Sequence, residues 1–158
     1  MQTAAFGAFR NVQVLSIFSD EAPVAFSAFS YNASYTNVGQ TLRFDGPITN
    51  IGDGFDLLTG VFTCPSDGFY YFHASITSSE DEPALIDLYH DDDYVVTIWS
   101  TELLERQTPN GAVVQCFADE TVRLETKAPV SMSVVGLENF KTTTFSGYRF
   151  GTTCQISG

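Results

Sequence analysis

The sequence predicts an all-β domain built as a sandwich or barrel, and two features carry that prediction. Apolar residues recur with period two far more often than with period 3.6, and turn signals interrupt them at intervals of about 8 to 12 residues. The aromatic content agrees, because 14 Phe and 7 Tyr favour a pleated, half-buried surface.

Residues 1–21 are apolar but poorly punctuated and read as an N-terminal extension or tail. Residues 24–30 alternate cleanly and form the first strand, followed by a polar loop in which Asn32-Ala33-Ser34 is a glycosylation sequon. Gly46-Pro47 and Gly52-Asp53-Gly54 read as breakers. Residues 61–64 form a short strand and Pro65-Ser66-Asp67-Gly68 a turn. The strand over 68–76 puts Phe69 and Tyr71 on one face and Tyr70 and Phe72 on the other, so both faces need covering. Residues 84–90 and 94–99 pair as a hairpin through Asp91-Asp92-Asp93. A short helix over 101–106 is limited by Pro109, and strands over 112–117, 121–126, 130–137 and 143–151 complete a single domain spanning 22–151. Residues 152–158 read as a C-terminal tail.

Seven Lys and Arg against 19 Asp and Glu give a net charge of −12. That charge repels a phosphate backbone and excludes nucleic acid and bare anionic membrane as partners. Only 16% of residues are charged while 44% are hydrophobic, so the acidity reflects scarce basic residues in a folded chain, not an acidic disordered one. No stretch approaches the ~20 continuous apolar residues of a membrane helix, so direct membrane insertion is not expected. Cys64, Cys116 and Cys154 are odd in number and lack CxxC spacing, so at most one intrachain bridge forms. Cys64 and Cys116 lie in apolar strand-like settings and read as buried free thiols; Cys154 reads as exposed and available to bridge chains. His73 and His90 are the only histidines and have no HxH or HxxxH spacing. With no nucleophile elbow, phosphate loop or dinucleotide fingerprint, the chain reads as non-enzymatic, with no catalytic residue.

Phe44, Asn50, Phe55, Phe62, Gly68, Tyr70 and Phe72 form a spaced set that closely resembles the signature of the complement C1q globular head domain family. The match extends through Val24-Ala25-Phe26-Ser27-Ala28, Val113-Val114-Gln115-Cys116 with Val122-Arg123-Leu124, and the closing Phe145-Ser146-Gly147-Tyr148-Arg149-Phe150. The resemblance implies a ten-stranded antiparallel jelly roll related to tumour necrosis factor, assembled as a homotrimer. Two positions depart from the family: Ala74 replaces a usual aromatic, implying a locally smaller core, and Asp119-Glu120 replaces a usual Gly-Asp, adding negative charge to a loop.

Glu80, Asp81, Glu82, Asp87, Asp91, Asp92 and Asp93 place seven carboxylates within 14 positions. Calcium takes six to eight oxygen ligands, and the family resemblance implies calcium in loops near a three-fold axis. Glu80, Asp81 and Glu82, or Asp91, Asp92 and Asp93, are therefore the expected ligands. At ~3.3 Å per residue the intervening strand separates the clusters by more than about 20 Å, so one chain cannot use both on one ion; otherwise they are solvated turns.

The resemblance implies a secreted, extracellular, non-enzymatic homotrimer that binds carbohydrate or microbial and cell-surface ligands in innate immune pattern recognition. It equally accommodates a signalling or adhesive ligand of a protein receptor, as in cerebellin-like and adiponectin-like relatives, or the trimerising head of a longer structural protein. A charge of −12 per chain becomes −36 per trimer, which opposes direct capture of polyanions unless calcium or a local basic patch intervenes.

Overall fold

The computed structural model describes residues 22–78, 83–100, 107–128, 132–135 and 140–152. They form β1 (Ala25–Ser30), β2 (Asn32–Tyr35), β3 (Gly46–Ile51), β4 (Phe55–Asp56), β5 (Val61–Thr63), β6 (Gly68–Ser75) and β7 (Ala84–His90). There follow β8 (Asp93–Ser100), β9 (Gln107–Thr108), β10 (Asn110–Cys116), β11 (Thr121–Ala128), β12 (Met132–Val135) and β13 (Thr143–Gly151). One sheet has the order β10-β6-β13-β1-β3, the other β4-β5-β11-β7-β8-β9, and β2 pairs with β12. They lay out the expected antiparallel jelly roll, with thirteen strand segments among the described residues where ten strands were expected. The helix read over 101–106 lies outside the described residues, as do residues 1–21 and Cys154.

Alternation builds the core between the two sheets. β1 buries Phe26 and Ala28, β6 buries Tyr70, Phe72 and Ala74, and β7 and β11 contribute Ile86, Leu88, Val122 and Leu124 from the opposite side. Phe26 stacks on Phe55 at 4.5 Å and on Phe62 at 4.8 Å, with the edge of Phe145 at 4.9 Å. Each such side chain contributes about 2–3 kcal/mol of burial. Gly147 of β13 makes this ring cluster possible. A Cβ there would lie 2.6 Å from a Phe72 ring carbon and 2.7 Å from one of Phe26, so the rings pack against bare backbone. Ala74 is buried opposite Phe145 on β13, the small residue facing a large one.

Several local readings are corrected. Asn32-Ala33-Ser34 lies in β2, paired with Val135, Val134 and Ser133 of β12, not in a loop. Gly46-Pro47 opens a strand instead of breaking one, because β3 is the outermost strand of its sheet, where a missing N–H leaves no ladder bond unmade. Cys64 and Cys116 are not free thiols but a disulfide, with Cα atoms 6.5 Å apart. The crossings after β5 and after β10 meet at one end of the sandwich: the Cys64 N–H donates to the Glu120 carbonyl at 2.8 Å and the Asp119 N–H to the Cys64 carbonyl at 3.0 Å. Asp119 sits at φ 71, the left-handed region that the family's usual Gly occupies without strain.

The two ends of the domain are joined through β1 and β13, with Ala25 opposite Tyr148. The Arg149 N–H donates to the Val24 carbonyl at 3.0 Å. Its guanidinium donates to the Ala22 carbonyl at 2.9 Å and also to the Ser66 hydroxyl.

Candidate functional site

The signature residues hold the fold together. Phe44, Phe55, Phe62, Tyr70, Phe72 and Phe145 are buried, and the Tyr70 hydroxyl donates to the Ser66 carbonyl at 2.7 Å. Asn50 works through its amide: it donates to the Phe55 carbonyl at 2.9 Å and accepts from the Phe55 N–H at 3.2 Å, closing the turn between β3 and β4. At Gly68 a Cβ would lie 2.6 Å from the Gly151 carbonyl oxygen.

The first chemically distinctive surface is the outer face of β10, β6 and β13. Register places Val113, Tyr71 and Tyr148 in one row across three strands, with Phe69 and Phe150 flanking it. Val113, Tyr148 and Phe150 are 59%, 49% and 56% exposed. Tyr148 meets Tyr71 edge-on at 5.9 Å and Phe150 at 6.4 Å. The expectation that both faces of the 68–76 strand are covered thus fails within one chain: Tyr70 and Phe72 are enclosed while Phe69 faces outward. Sequence reading found Phe69 and Tyr71 but missed Val113, Tyr148 and Phe150, whose alignment depends on strand order.

Glu80, Asp81 and Glu82 lie outside the described residues. The hairpin turn is shorter than expected: Asp91 and Asp92 alone form it, and Asp93 opens β8 opposite His90. Asp91 accepts from the Thr121 N–H at 2.8 Å and the Thr121 hydroxyl at 2.9 Å, and these bonds hold its carboxyl below the ordinary range. Asp92 reaches Arg123 at 3.8 Å. Asp87 belongs to the same acidic run yet is buried, accepting from the Thr97 hydroxyl at 2.5 Å and pairing with Lys127 at 2.8 Å. That pairing pushes the Lys127 ammonium pKa up.

Two clefts offer small polar surfaces. One of about 710 Å³ is lined by Ser34, Tyr35, Gln40, Thr41, Arg43 and Thr59. Its Arg43 is exposed, and among the described residues its guanidinium has no ion-pair partner. The Arg43 N–H donates to the Tyr35 hydroxyl at 3.0 Å, and burial raises that hydroxyl's pKa. Asn32 stands at the start of the strand that supplies Ser34 and Tyr35. The second cleft, about 270 Å³, is walled by Asp87, Tyr89, Tyr94, Glu125 and Lys127, with Lys127 4.9 Å above the Tyr94 ring. Neither cleft has a sequence signal, since each joins residues from separate strands.

His90 hydrogen-bonds Glu120 at 2.8 Å, and Glu120 also accepts from the Phe117 N–H at 2.8 Å. His73 stands on the outer face of β6 at a ring separation of 6.4 Å from Tyr71.

The C1q domain family matches residues 25–149. Human complement C1q tumor necrosis factor-related protein 3 is 32% identical over 107 residues, covering 66% of this chain and 43% of that protein. Caprin-2 of Danio rerio is 32% identical over 129 residues, covering 79% of this chain and 14% of its own length. The chain therefore spans less than half the length of either relative. Among solved structures, the globular domain of zebrafish complement 1qA superposes with a TM-score of 0.64 at 20% identity, covering 82% of this chain and 99% of that one. The Eiger TNF of S. frugiperda gives 0.62 at 10% identity, covering 87% and 99%. Both share the jelly-roll fold.

Proposed function

Because the chain belongs to the C1q domain family, whose domains typically form trimers, we propose that it is a secreted homotrimeric recognition domain that binds cell-surface or microbial carbohydrate without catalysis. The observation that carries this reading is the aromatic row Val113, Tyr71 and Tyr148 with its neighbours Phe69 and Phe150, an outward apolar strip on an otherwise strongly acidic molecule. Such a strip marks a protein contact. C1q-domain homologues are typically secreted, and no helix among the described residues is long and apolar enough to cross a membrane.

Ligand contact falls to the polar clefts. The larger one combines hydroxyls, an amide and the guanidinium of Arg43, unpaired with any carboxylate among the described residues, groups suited to sugar hydroxyls and to a single acidic substituent. Its lone positive charge supplies the basic spot that a −12 chain otherwise lacks over residues 44–105. Calcium enters the proposal through the same charge, as the ion that offsets −36 in a trimer through Asp91, Asp92 and Asp93, or Glu80, Asp81 and Glu82, of neighbouring copies.

The test is a glycan array probed with the trimer in calcium and again with a chelator. Binding in both conditions that is lost in Arg43→Ala supports the cleft, and chelator-sensitive binding supports calcium as the bridge. Tight binding to a receptor ectodomain with no glycan bound would replace carbohydrate by a protein ligand.

A further inference from the structure

Three chain crossings converge at one end of the sandwich: the segment after β5, the segment between β10 and β11, and the end of β7. They bring together four side chains that no single stretch of sequence connects. The donor atoms of His90, Cys116 and Glu120 all lie within 4.8 Å of one another. Cys64 is bonded to Cys116, and its backbone is held to Glu120 and Asp119 by two hydrogen bonds. Both cysteines are fully buried, whereas the His90 and Glu120 side chains are 20% and 29% exposed. The corner is thus closed on the sulfur side and open on the imidazole and carboxylate side.

We propose that this corner is a disulfide-masked site for a zinc-class divalent cation: reduction of the Cys64–Cys116 bond exposes two thiols that, with His90 Nε2 and a Glu120 carboxylate oxygen, form a four-ligand set. In the oxidised state the sulfur atoms are committed to each other and only an imidazole and a carboxylate remain. A thiol reductant supplies two electrons and two protons to the S–S bond and is itself oxidised to a disulfide. Binding of the dication then releases both thiol protons to solvent, leaving two thiolates, one carboxylate and one neutral imidazole around the metal.

The donor chemistry selects the metal. Two thiolates and an imidazole suit zinc or cobalt and are poor ligands for calcium, which takes hard oxygens. Zinc–ligand distances of about 2.0–2.3 Å separate neighbouring ligand atoms in a tetrahedron by about 3.3–3.8 Å. The separations of up to 4.8 Å among His90, Cys116 and Glu120 close by side-chain rotation, and Cys64, bonded to Cys116 in the oxidised state, joins them by turning its side chain once the S–S bond is broken. His90 and Glu120 already point at each other, so the metal replaces the proton in their hydrogen bond. The disulfide and the metal are alternative staples for the same crossing of the two sheets, and the redox state of the surroundings decides which one is present.

The test uses the full chain carrying Cys154→Ser, reduced with a phosphine, which with water becomes the phosphine oxide and adds no thiol that would compete for metal. Titration with cobalt(II) is expected to give one equivalent per chain, with thiolate-to-cobalt charge-transfer absorption and the intense visible bands of a tetrahedral site. Zinc at about a hundredfold excess over its Kd is expected to raise the Tm of the reduced protein by roughly 5–10 °C and to leave the oxidised protein unchanged. His90→Ala and Glu120→Ala should each weaken cobalt binding by about tenfold or more. The proposal is overturned if the reduced protein takes up no cobalt, if both variants bind cobalt as tightly as the reduced parent, or if zinc shifts the oxidised and reduced melts equally. The melt comparison needs no substitution at the corner, so a variant that fails to fold does not rescue the idea.

Discussion

Replacing Tyr148 by alanine tests the assembly face directly. Tyr148 is 49% exposed in the single chain, and a tyrosine carries roughly 200 Å² of surface, so about 100 Å² remains for a partner to cover. At about 25 cal/mol per Å² that area is worth about 2.5 kcal/mol per copy. Three copies change in a symmetric trimer, so the assembly free energy weakens by about 7.5 kcal/mol and the association constant by about 10⁵-fold. Light scattering coupled to size exclusion, run from about 0.1 to 50 µM, should show wild-type chain near three times 17.3 kDa and the variant dissociating to monomer. Far-UV circular dichroism should be unchanged, since Tyr71 and Phe150 remain on the same outer face and the core side of β13 is untouched. Leu58→Ala, at an 83% exposed turn position, is the control. A wild-type monomer, or a Tyr148→Ala trimer as robust as the Leu58→Ala one, refutes the assignment of this face.

The remaining predictions concern single side chains. Asn50→Ala removes both bonds to Phe55 and should cost about 2 kcal/mol, a fall in Tm of roughly 4–8 °C by calorimetry. Asn50→Asp keeps the acceptor for the Phe55 N–H and should fall between; melts equal to wild type in both variants would remove Asn50 from its structural role. Asp91 has a folded pKa depressed below its ordinary 3.8, so its contribution is fully present above that value and is lost as pH falls through the folded pKa. Asp91→Asn retains a residue tolerant of the φ of 48 without the titration, so its Tm should fall less steeply than that of wild type below about pH 4. Parallel melting curves across that window would count against the Thr121 bonds as the cause.

The strands that bury one face against the core were legible because alternation is their physical cause. β1, β6, β11 and β13 follow it closely, whereas β7 departs from it by burying Asp87 between Ile86 and Leu88; the ring cluster around Phe26 follows from the alternating strands. β3 was not legible, since Pro47 signals a break unless the strand is known to lie at an edge, and edge position is a property of the whole sheet. β2 was hidden by its polar Asn-Ala-Ser composition, for it pairs only with β12, outside the two main sheets. The same distinction governs the sites. Asp87 reads as one more solvated carboxylate, but register sets it beside Thr97 and Glu125, and Lys127 folds over it. Cys64 and Cys116 are 52 residues apart, and no local pattern reports that their crossings meet. Arg43 stands out in the sequence as an isolated cation, yet only the cleft around it gives that isolation a consequence.

The pairing of β1 with β13 makes the domain's entrance and exit a single doorway. Ala22 and Arg149 are bonded side by side, so any polypeptide leading in and any leading out attach at the same pole of the sandwich. In a parallel three-fold arrangement six tethers would gather there, leaving the opposite pole unobstructed. A polymer fused at either end would then set the spacing between neighbouring heads without touching their far surface, which converts weak single contacts into avidity governed by tether length.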